Sequence, residues 1–143
     1  MKLNFPENYA FRIEQQEGNQ LRIWDRIRKK WVVLTPEEWV RQHVICYLIQ
    51  NNWPASRLSV ERQLEVNGLK KRFDVLVFNQ QGNPELLVEC KAPEIELSEE
   101  TMLQIATYNT RINANFLLVT NGLTHYFYAW NGRHFQLNKQ GLP

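Results

Sequence analysis

The sequence predicts an α+β fold, in which a central mixed sheet is flanked by helices and preceded by an N-terminal β-hairpin. Two observations lead to this prediction. Short segments that alternate apolar and polar residues are separated by glycine-containing turns, and two capped helical segments interrupt their order. No linker divides the 143 residues. We therefore expect one domain over 1–143, with 1–34 as the hairpin extension and 35–137 as the core.

The hairpin and the first helix follow from turn and cap residues. The strand that begins at Phe11 leads into a turn at Gly18 and Asn19, and 21–34 is expected to return as the second strand. Thr35 is placed to cap a helix that ends at 51–54. The first turn of this helix contains a proline and two acidic residues, Pro36, Glu37 and Glu38. Its apolar stripe consists of Val40, Val44, Tyr47 and Leu48.

The remaining chain predicts strands around one further helix. Strands are expected at 57–66, 69–79, 86–90, 116–120, 123–130 and 134–137. Asn67 and Gly68 form a strong type I′ hairpin signal between the first two of these strands. The strand at 86–90 is mostly apolar, so we expect it in the centre of the sheet with both faces covered. Ser98 is expected to cap a helix that runs to about Ile112.

The composition is typical of a compact cytoplasmic protein. Apolar residues make up 43% of the chain and aromatic residues 12%, which allows a buried core and excludes a disordered chain. Cys46 and Cys90 lie in apolar runs, and no cysteine pattern indicates zinc or a disulfide scaffold. We expect no membrane association, because the sequence has no signal-peptide pattern and no apolar stretch near the ~20 residues of a membrane helix. The net charge of +2 permits contact with phosphate but does not predict it.

Three charged residues interrupt the apolar strands. Asp74 directly precedes an apolar run, and Glu89 and Lys91 close another. Because side chains alternate along a strand, Glu89 and Lys91 point to one face and Cys90 to the other. Isolated charges in a covered strand are costly unless they pair or bind a metal. The three residues are therefore either a structural ion pair at a sheet edge or a metal site.

These residue types suit the hydrolysis of a phosphodiester bond. Mg²⁺ usually takes one or two carboxylates, keeps several waters and accepts substrate phosphate. The ion polarises the phosphate and activates water, and a neighbouring lysine orients the attacking water or stabilises developing negative charge. The sequence therefore favours a magnesium site at Asp74, Glu89 and Lys91, in which Mn²⁺ is expected as a substitute.

The spacing of these residues resembles a known signature. Asp74, fourteen intervening residues and Glu89-Cys90-Lys91 resemble the motif of PD-(D/E)xK nucleases, although Phe73 stands where that motif has proline. The run FDVLVFNQQGNPELLVECKAPEIELSEETMLQIATYN is similar to the N-terminal nuclease domain of type I restriction enzyme R subunits. The similarity covers at least 35–128. It implies a restriction-endonuclease-like fold and a metal-dependent nuclease that acts on DNA.

The resemblance implies a role for each matching residue. Asp74 and Glu89 would be metal ligands, the backbone carbonyl of Cys90 could add a ligand, and Lys91 would be the catalytic lysine. Glu38 resembles the acidic residue that such nucleases supply from their first helix, where it could support the metal site. Glu38 could also simply favour the helix N-terminus through the macrodipole.

A second set of residues is implied around this centre. Gln104 and Tyr108, one helical turn apart, are similar to the Q-x-x-x-Y accessory motif of some family nucleases. They could face a metal-bound water or a DNA phosphate, or they could be ordinary surface and half-buried residues. Candidate contacts for DNA phosphate are Lys70, Lys71, Arg72 and Arg111. Basic residues also alternate with Trp24 along 22–30, as a DNA-backbone surface or as a solvated face.

These inferences favour a magnesium-dependent DNA endonuclease. The alternatives are a catalytically silent nucleic-acid-binding or assembly module, and an RNA-directed or structure-specific nuclease on the same fold. The sequence has no Walker A motif, so we expect no nucleotide cofactor. Activity could require a homodimer or a partner chain.

Overall fold

The computed structural model of the protein describes residues 1–66, 68–138 and 141–143, and these residues form two α-helices and eleven β-strands. The helices are α1, Pro36–Gln50, and α2, Glu99–Ile112. The strands are β1 Ile13–Gln15, β2 Leu21–Asp25, β3 Lys30–Val33, β4 Leu58–Val60, β5 Gln63–Val66, β6 Leu69–Arg72, β7 Val75–Phe78, β8 Pro84–Cys90, β9 Phe116–Thr120, β10 His125–Trp130 and β11 Phe135–Asn138. No helix in this described part is long and apolar enough to cross a membrane.

The predicted central mixed sheet is confirmed. Its strand order within the described residues is β11-β10-β9-β8-β7-β4. Strands β8 and β9 pair in parallel, while the other neighbours in the sheet are antiparallel. Strand β8 lies in the interior of this order, as its apolar composition predicts.

The two helices cover opposite faces of the sheet. Along β7 and β8, Val75 and Val88 pack in the same buried cluster as the apolar residues of α1. Their neighbours Leu76 and Leu87 pack instead with Ile105 of α2. This division follows from the alternation of side chains along a strand. The α1 cluster also contains the buried Cys90 side chain, as expected for a residue that points away from the face of Glu89.

Both helix starts agree with the caps that the sequence predicts. The Thr35 hydroxyl accepts a hydrogen bond from the Glu38 backbone N–H at 3.0 Å, and Pro36 is the first residue of α1. The Ser98 hydroxyl accepts from the Thr101 backbone N–H at 3.4 Å. Each cap satisfies one of the N–H groups that the first turn of a helix leaves without an intrahelical partner.

The N-terminal hairpin has a third strand that the sequence interpretation missed. The expected antiparallel pairing is present between β1 and β2, but the predicted continuous strand 21–34 is divided by a turn at 26–29. The buried Asp25 carboxylate holds this turn, because its Oδ1 accepts from the backbone N–H groups of Ile27 and Arg28, both at 2.8 Å. The predicted alternation over 22–30 is therefore wrong for Arg26 and Arg28, which lie in the turn rather than on a strand face.

The predicted strands 57–66 and 69–79 are also divided. A bend at Glu61, with a φ of 49°, separates β4 from β5, and a break at Phe73 and Asp74 separates β6 from β7. Strands β5 and β6 consequently form their own two-stranded sheet. Of the predicted turn between them, Asn67 lies outside the described residues, while Gly68 has a φ of 80°. The second break places Asp74 directly before β7.

Candidate active site

Asp74 and Glu89 lie opposite each other on neighbouring strands. The antiparallel register of β7 and β8 pairs Val75 with Val88, so the next position outward brings Asp74 against Glu89. Side chains at directly opposed positions lie on the same face of a sheet. The register therefore joins the two carboxylates that the sequence separates by fourteen residues.

The Asp74 carboxylate is fixed by two hydrogen bonds. Its Oδ2 accepts from the backbone N–H of Cys90 at 2.9 Å. Its Oδ1 accepts from Nη2 of Arg41, in α1, at 2.7 Å. The side chain is buried, with an exposed fraction of 7% for the residue, so both bonds hold it in one orientation.

Lys91 completes the predicted set from the end of β8. Its Nζ lies 3.5 Å from Glu89 Oε1, and its backbone N–H donates to the Thr120 carbonyl at 2.8 Å. The Lys91 side chain is 30% exposed. A bound molecule can therefore reach the ammonium group from solvent while the backbone stays anchored to β9.

The pKa of Glu89 is raised from 4.5 to about 7. Burial is the main cause, and the charge of Asp74 is the next. Lys71 and Lys91 act in the opposite direction but do not cancel these two effects. Burial and the neighbouring Asp74 charge thus both disfavour the ionised form of Glu89. A divalent cation between them would remove this repulsion.

Glu89→Gln is expected to stabilise the metal-free protein above pH 7. Because the folded-state pKa is raised, the folded protein between about pH 4.5 and 7 keeps a proton on Glu89 that the unfolded chain has released. The free energy of unfolding therefore falls as the pH rises through this range and Glu89 ionises. The substitution should raise the free energy of unfolding by ~1–3 kcal/mol at pH 8 and by much less at pH 5. Denaturant unfolding in EDTA measures this difference. Glu65→Gln, at an exposed carboxylate of β5, is the control. An equal gain at both pH values would contradict the expectation.

Glu38 contacts Asp74 through an intermediate residue. Its Oε1 accepts from Arg41 Nη1 at 2.8 Å and from Arg28 Nη2 at 2.7 Å. Its Oε2 accepts from Gln42 at 3.1 Å. Arg41 in turn binds Asp74. The structure thus places Glu38 beside the guanidinium that holds Asp74, rather than beside the Asp74–Glu89 pair itself.

Three charged residues near Asp74 were missed by the sequence interpretation as site residues. Arg41 is buried between carboxylates, and its pKa is raised because Glu38 and Asp74 outweigh the lowering effect of burial. Glu61 Oε1 accepts from Arg41 Nη2 at 2.8 Å. The Glu37 carboxylate lies 3.9 Å from Arg41, and its pKa is raised by burial and by the charge of Asp74. The position of Arg41 between the apolar Val40 and Val44 was the one available signal that a charged side chain faces inward.

The predicted stripe on α2 reaches the site through Lys71. The Lys71 ammonium lies 3.8 Å from the centre of the Tyr108 ring, which is a cation–π contact. Gln104 Nε2 is 3.4 Å from the Tyr108 hydroxyl. Lys71 also acts electrostatically on Glu89. Tyr108 is thereby connected to the carboxylate pair, while the exposed Gln104 side chain lies one turn further away.

The other predicted basic residues lie around this centre. Lys70 and Arg72 are exposed neighbours of Lys71 on β6, and Arg111 is exposed in the last turn of α2. Strand alternation turns Lys70 and Arg72 away from the side on which Lys71 meets Tyr108. The basic residues therefore occupy more than one side of the strand that leads to Asp74.

The residues present fit a magnesium ion held largely by water. Within the described residues, no group of three or more His, Cys, Asp or Glu side chains has the geometry of a metal site. Magnesium needs only one or two carboxylates, which Asp74 and Glu89 supply. Each Asp74 oxygen already accepts one hydrogen bond and retains a second lone pair. Burial and the charge of Asp74 raise the pKa of Glu89, so a cation beside it would favour its ionised form.

Comparison with known proteins identifies a family and several similar structures, of which two are given. The family described as "Type I restriction enzyme R protein N terminus (HSDR_N)" matches residues 36–140. A fragment described as an HsdR subunit of a type I restriction enzyme from Vibrio vulnificus has 19% identity and a TM-score of 0.57, with 73% of this chain and 23% of that chain covered. A protein from Anabaena variabilis, described as a nuclease of the DUF820 group, has 10% identity and a TM-score of 0.47, with 87% and 78% covered. No curated protein matches significantly.

Proposed function

Because the chain belongs to the family of the type I restriction enzyme R protein N terminus, we propose that it is a metal-dependent nuclease that hydrolyses the phosphodiester bonds of DNA. The observation that carries the proposal is the juxtaposition of Asp74 and Glu89 beside Lys91. Burial and the charge of Asp74 raise the pKa of Glu89 to about 7, so a cation bound beside the two carboxylates would favour its ionised form. The site thus has a carboxylate pair that gains from a cation and an exposed ammonium beside it.

Each residue has a defined task in this proposal. Asp74 and Glu89 would hold Mg²⁺ or Mn²⁺ through carboxylate oxygens, and the Cys90 carbonyl could add a ligand. The bound ion supplies polarisation of the phosphate and activation of water. Lys91 donates hydrogen bonds to the attacking water or to a phosphate oxygen, where it stabilises developing negative charge. Glu38 acts indirectly, because it binds the Arg41 guanidinium that orients Asp74.

The second helix and β6 supply the DNA contacts in this proposal. Tyr108 holds the Lys71 ammonium near Glu89, and Gln104 holds the Tyr108 hydroxyl. In this role Lys71 would neutralise a phosphate next to the one that is cut. The exposed basic side chains that would contact the flanking backbone are Lys70, Arg72 and Arg111.

The nuclease is tested by titration of Mg²⁺ and Mn²⁺ in the presence of plasmid DNA, single-stranded DNA or structured RNA. We expect DNA cleavage that requires metal and is absent in Glu89→Ala. Calorimetry on both proteins measures metal binding independently. Metal binding without cleavage, lost in Glu89→Ala, would support the site and indicate that cleavage needs a partner chain or a second copy. A wild-type protein that neither binds metal nor cuts would refute the nuclease and favour a binding module.

The proposed DNA surface is tested by salt dependence. Each phosphate contact from a basic side chain contributes about one unit to the slope of log affinity against log salt concentration. The double variant Lys70→Ala/Arg72→Ala should reduce this slope by about 1 to 2 units in a fluorescence-anisotropy titration. Arg133→Ala, in the exposed turn between β10 and β11, should leave the slope unchanged. A double variant with the wild-type slope would remove these residues from the interface.

A further inference from the structure

Arg41 brings together carboxylates from three separate segments of the chain. Its Nη1 donates to Glu38 Oε1, of α1, at 2.8 Å. Its Nη2 donates to Glu61 Oε1, in the bend after β4, at 2.8 Å and to Asp74 Oδ1 at 2.7 Å. The carboxylate of Glu37 lies 3.9 Å away. Arg41 is only 4% exposed, so this single guanidinium is the buried counter-charge of several acidic groups.

The backbone around Glu61 is shaped to make this contact. Glu61 has a φ of 49°, an uncommon conformation for a residue with a side chain. Its backbone N–H donates to the Asp74 carbonyl at 3.1 Å. The bend therefore fixes Glu61 next to Asp74 and turns its carboxylate onto Arg41.

Asp74 thus lies between two acidic groups that differ in their counter-charge. On one side, Glu89 is accompanied by Lys91, whose ammonium is 3.5 Å away and 30% exposed. On the other side, Glu38 and Glu61 share the buried Arg41 with Asp74. In two-metal phosphodiester sites, two cations lie ~3.5–4 Å apart and stabilise the attacking and leaving oxygens. Here the Arg41 guanidinium lies 2.7 Å from Asp74, within the distance that separates two such cations.

We propose that Arg41 occupies the place of a second metal ion, so that the site binds one divalent cation, on the Glu89 side of Asp74. This inference rests on the proposed nuclease function and specifies its metal requirement. A guanidinium does not lose its proton in a protein, so this counter-charge is permanent and independent of metal concentration. Arg41 is a positioning residue: it holds Asp74 in the orientation that the one exchangeable ion uses.

The number of bound ions tests the inference. Mn²⁺ stoichiometry of the full chain is measured by calorimetry, and electron paramagnetic resonance detects the exchange coupling of two neighbouring Mn²⁺ ions. The wild type should bind one ion without coupling, and Glu89→Gln should bind none. Arg41→Met leaves Glu38, Glu61 and Asp74 without their cation, and this variant should bind two coupled ions. Arg28→Met is the matched control, because Arg28 also pairs with Glu38 while its other ion pair is with Asp25 rather than with Asp74. This variant should bind one ion.

The outcomes separate this inference from the proposed function. Two coupled ions in the wild type would overturn the inference while supporting a metal-dependent nuclease. One ion in both the wild type and Arg41→Met would also overturn it. A third outcome is that the wild type binds no ion, that Arg41→Met binds one, and that the double variant Arg41→Met/Glu89→Gln still binds it. In that case the second-ion position stands and the proposed Asp74–Glu89 site fails. No binding in either protein overturns both.

A folding defect in Arg41→Met does not block the test. The wild-type resonance spectrum alone can contradict the inference, because coupled Mn²⁺ ions require a second position. Thermal unfolding adds a second measurement. If the ion replaces the guanidinium, Mn²⁺ should raise the melting temperature of Arg41→Met by more than that of the wild type or of Arg28→Met. Equal shifts in the three proteins would count against Arg41 as the substitute for a metal ion.

Discussion

Lys91→Ala is expected to reduce the rate of DNA cleavage by about 10²–10³-fold at saturating metal, the usual cost of removing one donor that stabilises transition-state charge. Lys91 supplies the ammonium beside Glu89, and its side chain is 30% exposed. Its structural anchor is the backbone hydrogen bond to Thr120, which alanine retains. Single-turnover cleavage of a labelled duplex measures the effect on chemistry separately from DNA affinity.

Two controls define what Lys91 does. Lys70→Ala removes a neighbouring exposed ammonium and should change binding rather than the rate of chemistry. Lys91→Arg keeps the charge but changes the donor geometry, so it should recover only part of the lost rate. If Lys91→Ala cuts at the wild-type rate with saturating DNA, the lysine has no catalytic role and only balances the charge of Glu89.

Asp74→Ala is expected to abolish cleavage and to destabilise the fold by ~3–5 kcal/mol, as is usual when one partner of a buried ion pair is removed. The variant leaves the Arg41 guanidinium without its carboxylate at 2.7 Å and the Cys90 backbone N–H without its acceptor at 2.9 Å. Both groups are buried, so water does not readily replace the missing oxygens. Denaturant unfolding and cleavage assays measure the two effects.

Asp74→Asn separates the structural and the catalytic parts of this loss. The amide oxygen can still accept one of the two hydrogen bonds, so the stability loss should be smaller than in the alanine variant. The negative charge is gone, so metal binding and cleavage should remain absent. An Asp74→Asn protein that cuts at the wild-type rate would remove Asp74 from the metal site, even if the alanine variant is unstable.

The sequence predicts those parts of the fold that depend on local chemistry. Thr35 and Ser98 mark the helix starts because a side-chain oxygen satisfies the N–H groups of a first turn. The apolar composition of β8 reflects burial on both faces and so identifies a central strand. The alternation of side chains is also local, and it places Glu89 and Lys91 on one face before any tertiary contact is known.

The remaining features depend on tertiary contacts that leave little trace in the sequence. The bend at Glu61 needs a positive φ, yet the residue there is not glycine, so no turn signal marks it. The turn after Asp25 is held by a buried carboxylate rather than by glycine or proline. Arg41 is buried only because carboxylates from distant segments meet it. The nearby Glu38 therefore attracted the functional assignment, although the structure joins it to Asp74 through Arg41.

A chain of ion pairs joins the N-terminal sheet to the candidate active site. Asp25, which is fully buried, binds Arg28; Arg28 binds Glu38; Glu38 binds Arg41; and Arg41 binds Asp74. Asp25 and Arg28, the first two members of this series of ion pairs, precede the segment that the family shares, 36–140. A fragment trimmed to that segment for expression or for fusion to another protein would discard them and leave Glu38 with one cation fewer. A fragment that keeps all of these ion pairs must therefore begin before β2, not at the start of α1.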